Sequence, residues 1–77
     1  MRRYYFDVFV DDRLIVDDDG MDLPDVKRVE EEAVRTLAEM VRDKARESRD
    51  HQMAVEVRDL TGSLFQVQCT FVRKHQR

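Results

Sequence analysis

The residues of this chain that could do chemistry are two histidines, one cysteine and a run of aspartates. His51 and His75 are the only histidines, and Cys69 is the only cysteine. A structural zinc site takes about four ligands, and these three residues neither reach that number nor form a local ligand pair. Cys69 lies in a run that alternates apolar and polar residues, so we expect a buried, inert thiol. No serine or cysteine stands in a motif for nucleophilic catalysis.

The acidic run Asp17–Asp19, followed by Gly20, is a second chemical candidate because clustered carboxylates bind calcium. An EF-hand loop needs ligands at positions 1 and 12 when its glycine is at position 6. Placing Gly20 there puts Ile15 and Val26 at the two ligand positions, and neither side chain can bind a cation. Because Asp7 is predicted to lie opposite Asp17, one alternative is a weak divalent-cation site between their carboxylates. The simpler interpretation is a solvated turn whose charge suits a following helix N-terminus.

Composition narrows the function further. Gly20 and Gly62 are the only glycines, which is too few for a glycine-rich phosphate-binding loop. The chain is 40% charged, and its net charge of -3 at pH 7 weighs against general nucleic-acid binding. We therefore predict that the protein is not an enzyme and uses no cofactor or metal.

The overall pattern also bears on location. No apolar run approaches the roughly 18 residues that a membrane span requires. Met1–Arg3 is basic, but alternating apolar and acidic residues follow it rather than the apolar stretch of a signal peptide. The lone cysteine suits a reducing compartment. We expect a cytoplasmic protein with no membrane partner, folded as one domain over residues 1–77, and a domain this small gains stability from association.

The element that positions everything else is a predicted amphipathic helix over Pro24–Ser48. Its apolar residues recur at helical spacing and include Val26, Val29, Ala33, Leu37 and Met40, with Val34, Ala38, Val41 and Ala45 widening the stripe. Proline suits the first helical turn, and Asp22 or a neighbour is expected to cap it. Because such a helix is longer than the strands beside it, we expect Lys44–Arg49 to overhang the sheet.

A hairpin is predicted before the helix. Arg3–Val10 alternates apolar and polar residues as a strand does, and Leu14–Val16 resumes the pattern after a turn. A two-residue turn at Asp11-Asp12 would pair Val10 with Arg13. A three-residue turn instead pairs Val10 with Leu14, and Val8 with Val16, and gathers the apolar residues on one face. We prefer the three-residue turn.

A second hairpin is predicted after the helix. Gln52–Arg58 alternates as a strand, and Asp59-Leu60-Thr61-Gly62 is the clearest turn signal in the chain. Setting Asp59 opposite Ser63 pairs Val57 with Phe65, Val55 with Val67, and Met53 with Cys69. All of these residues are apolar, so the turn and the face pattern agree. Residues 73–77 are predicted to be a loose basic tail.

These elements predict an α+β fold of ββαββ order, with four strands in one sheet and the helix across one face. If the helix carries the chain back along the sheet, the first and fourth strands run parallel. Since these two are the longest, we place them in the centre, which gives the strand order 2-1-4-3.

Three short motifs add a resemblance to a known family. They are Arg3-Tyr4-Tyr5-Phe6-Asp7, the stretch from Asp18-Asp19-Gly20 to Leu23-Pro24-Asp25, and Ala54–Asp59 with Gly62. Together they resemble a family of short bacterial proteins described only as a domain of unknown function. The resemblance covers nearly the whole chain and implies a small bacterial cytoplasmic protein of one domain. It implies no catalytic or binding residue.

The sheet face away from the helix is the predicted functional surface. Tyr5, Phe9 and Ile15 would lie there as apolar side chains that the helix does not cover, and Leu64 is expected to join them. Such a cluster on a small domain indicates a protein partner or a homo-oligomer. The alternative is a single-stranded nucleic-acid platform on which Tyr5 and Phe9 stack bases.

Overall fold

The computed structural model describes residues 1–47 and 49–74 and contains five strands and one helix. The elements are β1 (Arg2–Val10), β2 (Arg13–Ile15), β3 (Met21–Leu23), α1 (Val26–Lys44), β4 (His51–Asp59) and β5 (Gly62–Phe71). The predicted α+β class and the single long helix are confirmed. Arg73 and Lys74 follow the last strand, and the rest of the predicted basic tail, 75–77, lies outside the described residues.

The strand order is β2-β1-β4-β5, with β3 also paired to β1, and all pairings are antiparallel. The predicted order 2-1-4-3 counted four strands, of which the third and fourth correspond to β4 and β5. It therefore placed β5 next to β1. That order is wrong, because β4 lies next to β1. The reason is burial. β4 is the more buried of the two strands: His51, Met53, Ala54, Val55 and Val57 are all buried, whereas β5 has no buried residue. The more buried strand belongs inside the sheet, and the less buried one tolerates the edge.

The sequence prediction missed β3, the short strand before the helix. It pairs Leu23 with Arg2 and Met21 with Tyr4, so the chain that follows the acidic run returns to the sheet edge before α1 begins. Leu23 is only 4% exposed and belongs to the hydrophobic core. Three residues are too short a run to show alternation, so the pattern indicated a loop.

The register of the first hairpin also differs from the prediction. Val10 pairs with Arg13 and Val8 with Ile15, so the turn has two residues and the three-residue alternative is wrong. A tertiary contact holds this turn: the Asp11 N–H donates to the Gln52 carbonyl at 2.7 Å. Asp11 itself has φ 56, in the left-handed region that aspartate tolerates better than most residues.

The second hairpin follows the prediction along most of its length. Val57 pairs with Phe65, Val55 with Val67, and Met53 with Cys69, as expected. At the turn the predicted pairing is wrong, because Asp59 pairs with Gly62 and it is Arg58 that pairs with Ser63. The ladder shifts there, so Leu64 is the extra residue of a β-bulge.

The helix is shorter than predicted, because Pro24 and Asp25 precede its first turn and it ends at Lys44. Asp25, not Asp22, is the N-cap: its side chain accepts a hydrogen bond from the Arg28 N–H at 2.9 Å. Ala45 closes the other end through its own N–H. Over the described residues, no helix has the length and apolar character that crossing a membrane demands.

The core lies between α1 and one face of the sheet. Its buried residues are Tyr4, Phe6, Leu23, Val29, Ala33, Val55 and Val57. The helix packs mainly on β4 and β5. The molecule is elongated, with principal extents of 52 × 22 × 17 Å and a radius of gyration of 14.0 Å, compared with about 11–12 Å expected for a compact domain of this length. A large share of its surface is therefore available for contacts.

Candidate functional site

The outer sheet face, opposite α1, is organised around an ion pair rather than an apolar patch. Asp7 and Arg58 lie on neighbouring strands, and Arg58 Nε donates to Asp7 Oδ2 at 2.8 Å. The Arg58 guanidinium also lies over the Tyr5 ring, 4.6 Å from its centre. One face of the Tyr5 ring is thus occupied by a cation from its own chain.

The acidic run Asp17–Asp19 connects β2 to β3 and is fixed by hydrogen bonds to the Asp17 carboxylate. One Asp17 carboxylate oxygen accepts the Phe6 N–H at 3.1 Å, and the other accepts the N–H groups of Asp19 and Gly20, each at 3.0 Å. Gly20 has φ 74, and a Cβ there would come within 3.0 Å of the Tyr4 carbonyl oxygen. The run is therefore a structural turn. Over residues 1–47 and 49–74, no three potential ligand side chains form a metal site.

A third polar cluster lies at the other end of β4. The buried His51 ring contacts Asp11 Oδ2 through Nδ1 at 3.0 Å, and Asp11 Oδ1 accepts the Gln52 N–H at 3.0 Å. Among the described residues, His51 Nε2 has no hydrogen-bond partner, although Glu47 Oε1 lies 3.6 Å away. The hydrogen bond from His51, followed by that from Gln52, lowers the pKa of Asp11. His51 is 1% exposed, and the cluster joins the end of β1 to the start of β4.

Two further carboxyl groups, of the buried Asp7 and the half-buried Asp17, have lowered pKa values as well. Burial alone raises the pKa of Asp7, but hydrogen bonds from Arg58 and from the Asp17 N–H outweigh it, so the net pKa is below the usual value. Burial likewise raises the pKa of Asp17, and backbone donors, first among them Gly20, bring the net pKa down. These aspartates therefore favour the folded state only in their ionised form.

This balance predicts an acid-sensitive fold. Because Asp7, Asp11 and Asp17 have folded pKa values below the unfolded value of about 3.9, their stabilisation is complete above about pH 5 and is lost as the pH falls through the folded values. Urea titrations should show a free energy of unfolding that falls steeply below about pH 4. An Asp7→Asn variant should show a shallower decline, and an unchanged slope would contradict the assignment.

The four residues predicted to form the outer-face cluster do not come together. Tyr5 and Phe9 do lie on that face, but both are half-buried and Asp7 lies between them. Ile15 pairs with Val8 and therefore lies on the helix side, while Leu14 takes the position beside Phe9. The reason is the two-residue turn, which shifts β2 by one residue and exchanges its faces. Leu64, 48% exposed, lies at the bulge of β5.

Over residues 1–47 and 49–74, no strand pairs with the outer side of β5, and this open edge is the surface that the sequence prediction missed. The stretch from Leu60 to Val72 contains no charged residue in a chain that is 40% charged. Exposed sheet edges are normally protected by lysine, proline or bulges, because unpaired backbone groups recruit other strands. The bulge protects only the Leu64 end of β5, and Phe65–Phe71 continues as a regular, uncharged strand without proline.

The backbone groups that face this edge follow from antiparallel alternation. The Phe6 N–H donates to Asp17 and therefore points away from β4. Because the backbone groups of successive residues in an antiparallel strand point to opposite sides, the residues before and after Phe6 are the ones that bond to β4. Carrying this alternation through β4, residues 65, 67, 69 and 71 bond to β4. The N–H and C=O groups of Gln66, Gln68 and Thr70 therefore face the open side of β5.

An apolar flank of α1 lies on the same side of the molecule. Its residues share one helical stripe and are Val34, Ala38, Val41 and Ala45. Val34 is 56% exposed although its helix packs against a core. β3 and β4 both pair antiparallel with β1 and so run in the same direction. The connection between two such strands is right-handed in nearly all proteins, and this handedness turns the stripe toward β5. The contact from the Arg73 guanidinium, just after β5, to the Ala45 carbonyl agrees with that direction.

Comparison with known proteins gives a family but no described activity. A family model described as "Domain of unknown function (DUF6894)" matches residues 3–70. No curated protein and no solved structure matches the chain. The match spans all three polar clusters and nearly all of β5, so these features fall within the region that the family model covers.

Proposed function

The chain belongs to this family of unknown function (DUF6894), and we propose from its own surface that it is a non-enzymatic protein-association module. It accepts a β-strand of another polypeptide along the open edge of β5. The observation that carries this proposal is an uncharged edge strand without proline in an otherwise highly charged protein. Strand addition of this kind takes its affinity from backbone hydrogen bonds and its selectivity from alternate side chains.

The side chains of β5 suit this role. On the helix side, Phe65, Val67, Cys69 and Phe71 are each only partly buried, because within the described part of the chain the strand pairs with β4 alone. An added strand would cover them further and so remove more apolar area from water. Leu64 and Val72, 48% and 50% exposed, lie at the two ends of the strand. The contact surface proposed here therefore lies at this edge and not around Tyr5 and Phe9.

Single-stranded nucleic-acid binding stays a prediction that the geometry does not favour. Base stacking needs a free aromatic face, whereas the Tyr5 ring is already covered by Arg58. The same guanidinium is held by Asp7 and by the Asp17 carbonyl, so it is not available to phosphates. Glu56, opposite Asp7 on the same face, would repel a phosphate backbone.

Site-specific photo-crosslinking in cells tests the proposal. A photoreactive amino acid at Gln66, beside the open edge, should give covalent adducts with a polypeptide. The same amino acid at Glu39, an exposed position on the helix, is the matched control and should give few. Adducts that form equally at both positions, or at neither, would contradict strand addition at β5. Mass spectrometry of the adducts identifies the polypeptide.

A further inference from the structure

We propose that the strand added to β5 is β5 of a second copy of this chain, paired antiparallel about a twofold axis at Gln68. This inference rests on the proposed function, because it names the occupant of the same edge. Two copies would then share one continuous sheet with both helices on the same side. The central contact is made by about six backbone hydrogen bonds from Gln66, Gln68 and Thr70 and their counterparts.

The axis position follows from which side chains would meet. With Gln68 opposite itself, Phe65 lies across from Phe71 of the second copy, and Val67 lies across from Cys69. On the outer face Gln66 meets Thr70. Every cross-strand pair joins residues of the same character, as stable sheets prefer.

Neighbouring axes give poorer pairs. Shifting the axis to Val67 sets Leu64 against Thr70, and shifting it to Cys69 sets Phe65 against the charged Arg73. An axis between two residues would mix the two faces of the sheet. With the axis at Gln68, Leu64 meets Val72, so two exposed apolar side chains become neighbours.

The helix supplies an independent reason for a second copy. A twofold axis perpendicular to the sheet brings the two α1 flanks toward each other across the β5 seam. The flank contains Val34, which is 56% exposed, together with Ala38 and the half-buried Val41. A single added peptide would cover the strand edge but leave this flank open. A second copy presents an identical apolar flank and covers both.

Sedimentation of the full chain, from micromolar to millimolar concentration, tests the association. The wild type should form dimers. Gln68→Pro removes an N–H that points to the open edge and not to β4, so the fold should survive, as circular dichroism will show, while the dimer is lost. Gln68→Ala keeps that N–H and should still form dimers. Gln68→Lys places like charges opposite each other on the axis and should weaken the dimer by about tenfold or more.

Disulfide trapping tests the register. Val67→Cys should form an oxidised dimer, because its thiol lies across from the native Cys69 of the second copy. Adding Cys69→Ser to that variant should abolish the crosslink. Residues 67 and 69 of one chain point the same way along a strand and lie too far apart to bridge internally. A crosslink retained in the double variant places the axis at Val67, and efficient oxidation of the wild type places it at Cys69; either result overturns the Gln68 axis.

The outcomes separate this inference from the proposed function. A monomer at all concentrations, with photo-adducts at Gln66 to a different protein, removes the second copy but keeps strand addition at β5. A monomer with no adducts removes both. A dimer that tolerates Gln68→Pro and Gln68→Lys equally well shows that the copies meet elsewhere and overturns the pairing proposed.

Discussion

Replacing Asp7 with alanine is expected to lower the free energy of unfolding by about 2–4 kcal/mol. The Asp7 side chain is 12% exposed and accepts from Arg58 at 2.8 Å and from the Asp17 N–H at 2.9 Å. Alanine would leave a guanidinium and a backbone N–H without their acceptor. Arg58 is 32% exposed, so water offsets part of the loss and the effect falls below that of a fully buried pair. Urea unfolding monitored by circular dichroism measures it.

Glu56→Ala is the matched control for this prediction. Glu56 lies directly opposite Asp7 and, among the residues that the structure describes, accepts only from the Ser63 hydroxyl, so its loss should cost less than about 1 kcal/mol. A double-mutant cycle of Asp7→Ala with Arg58→Ala should show strong coupling, because the second substitution removes the charge that the first leaves unpaired. Additive effects in that cycle, or equal losses at Asp7 and Glu56, would contradict a cooperative ion-pair network.

Asp11→Ala is expected to lower the melting temperature by roughly 5–20 °C. Two main penalties combine, beside the loss of the acceptor for the exposed Gln52 N–H. The substitution leaves the buried His51 Nδ1 without its partner, and such a group costs about 1–3 kcal/mol when unpaired. It also places alanine at a φ of 56, which alanine tolerates less well than aspartate does. Differential scanning calorimetry at neutral pH measures the shift.

A series at Asp11 separates the two penalties. Asp11→Gly accepts the backbone conformation but loses the carboxylate, and Asp11→Asn keeps an oxygen for the Gln52 N–H. We expect asparagine to be mildest, glycine intermediate and alanine most harmful. Asp12→Ala, in the same turn, is the control and should change little. A loss at glycine as large as that at alanine would show that backbone strain contributes nothing.

The parts of the fold that could be predicted are those specified by neighbouring residues. The Val57–Phe65 and Val55–Val67 pairs were predicted because turn chemistry and alternation agree within one hairpin. The first hairpin lacked such agreement. Its register depends on the Asp11–Gln52 contact, between residues far apart in the chain. Apolar pattern alone favoured the wrong turn, and a shift of one residue moved Ile15 to the helix side.

The candidate site at the edge of β5 was not predicted from the sequence. The uncharged stretch from Leu60 to Val72 is visible in the sequence, but its meaning depends on whether β5 lies inside the sheet or at its edge. The predicted order put β5 in the centre, where an uncharged strand needs no explanation. The Tyr5 ring was predicted to be free. The sequence could not show that Arg58 lies over it, because that contact requires the pairing of β1 with β4.

By itself, the sequence determined the α+β class, the single amphipathic helix, the second hairpin and the absence of charge in its last strand. These properties are local, since alternation, turn preference and composition act over a few neighbouring residues. Only the tertiary structure decided that β4 fills the centre, that Asp7 and Arg58 neutralise the outer face, and that β5 has an open edge. Which strands pair is decided by the burial of segments that lie far apart in the chain. That pairing also determines that the open edge belongs to β5.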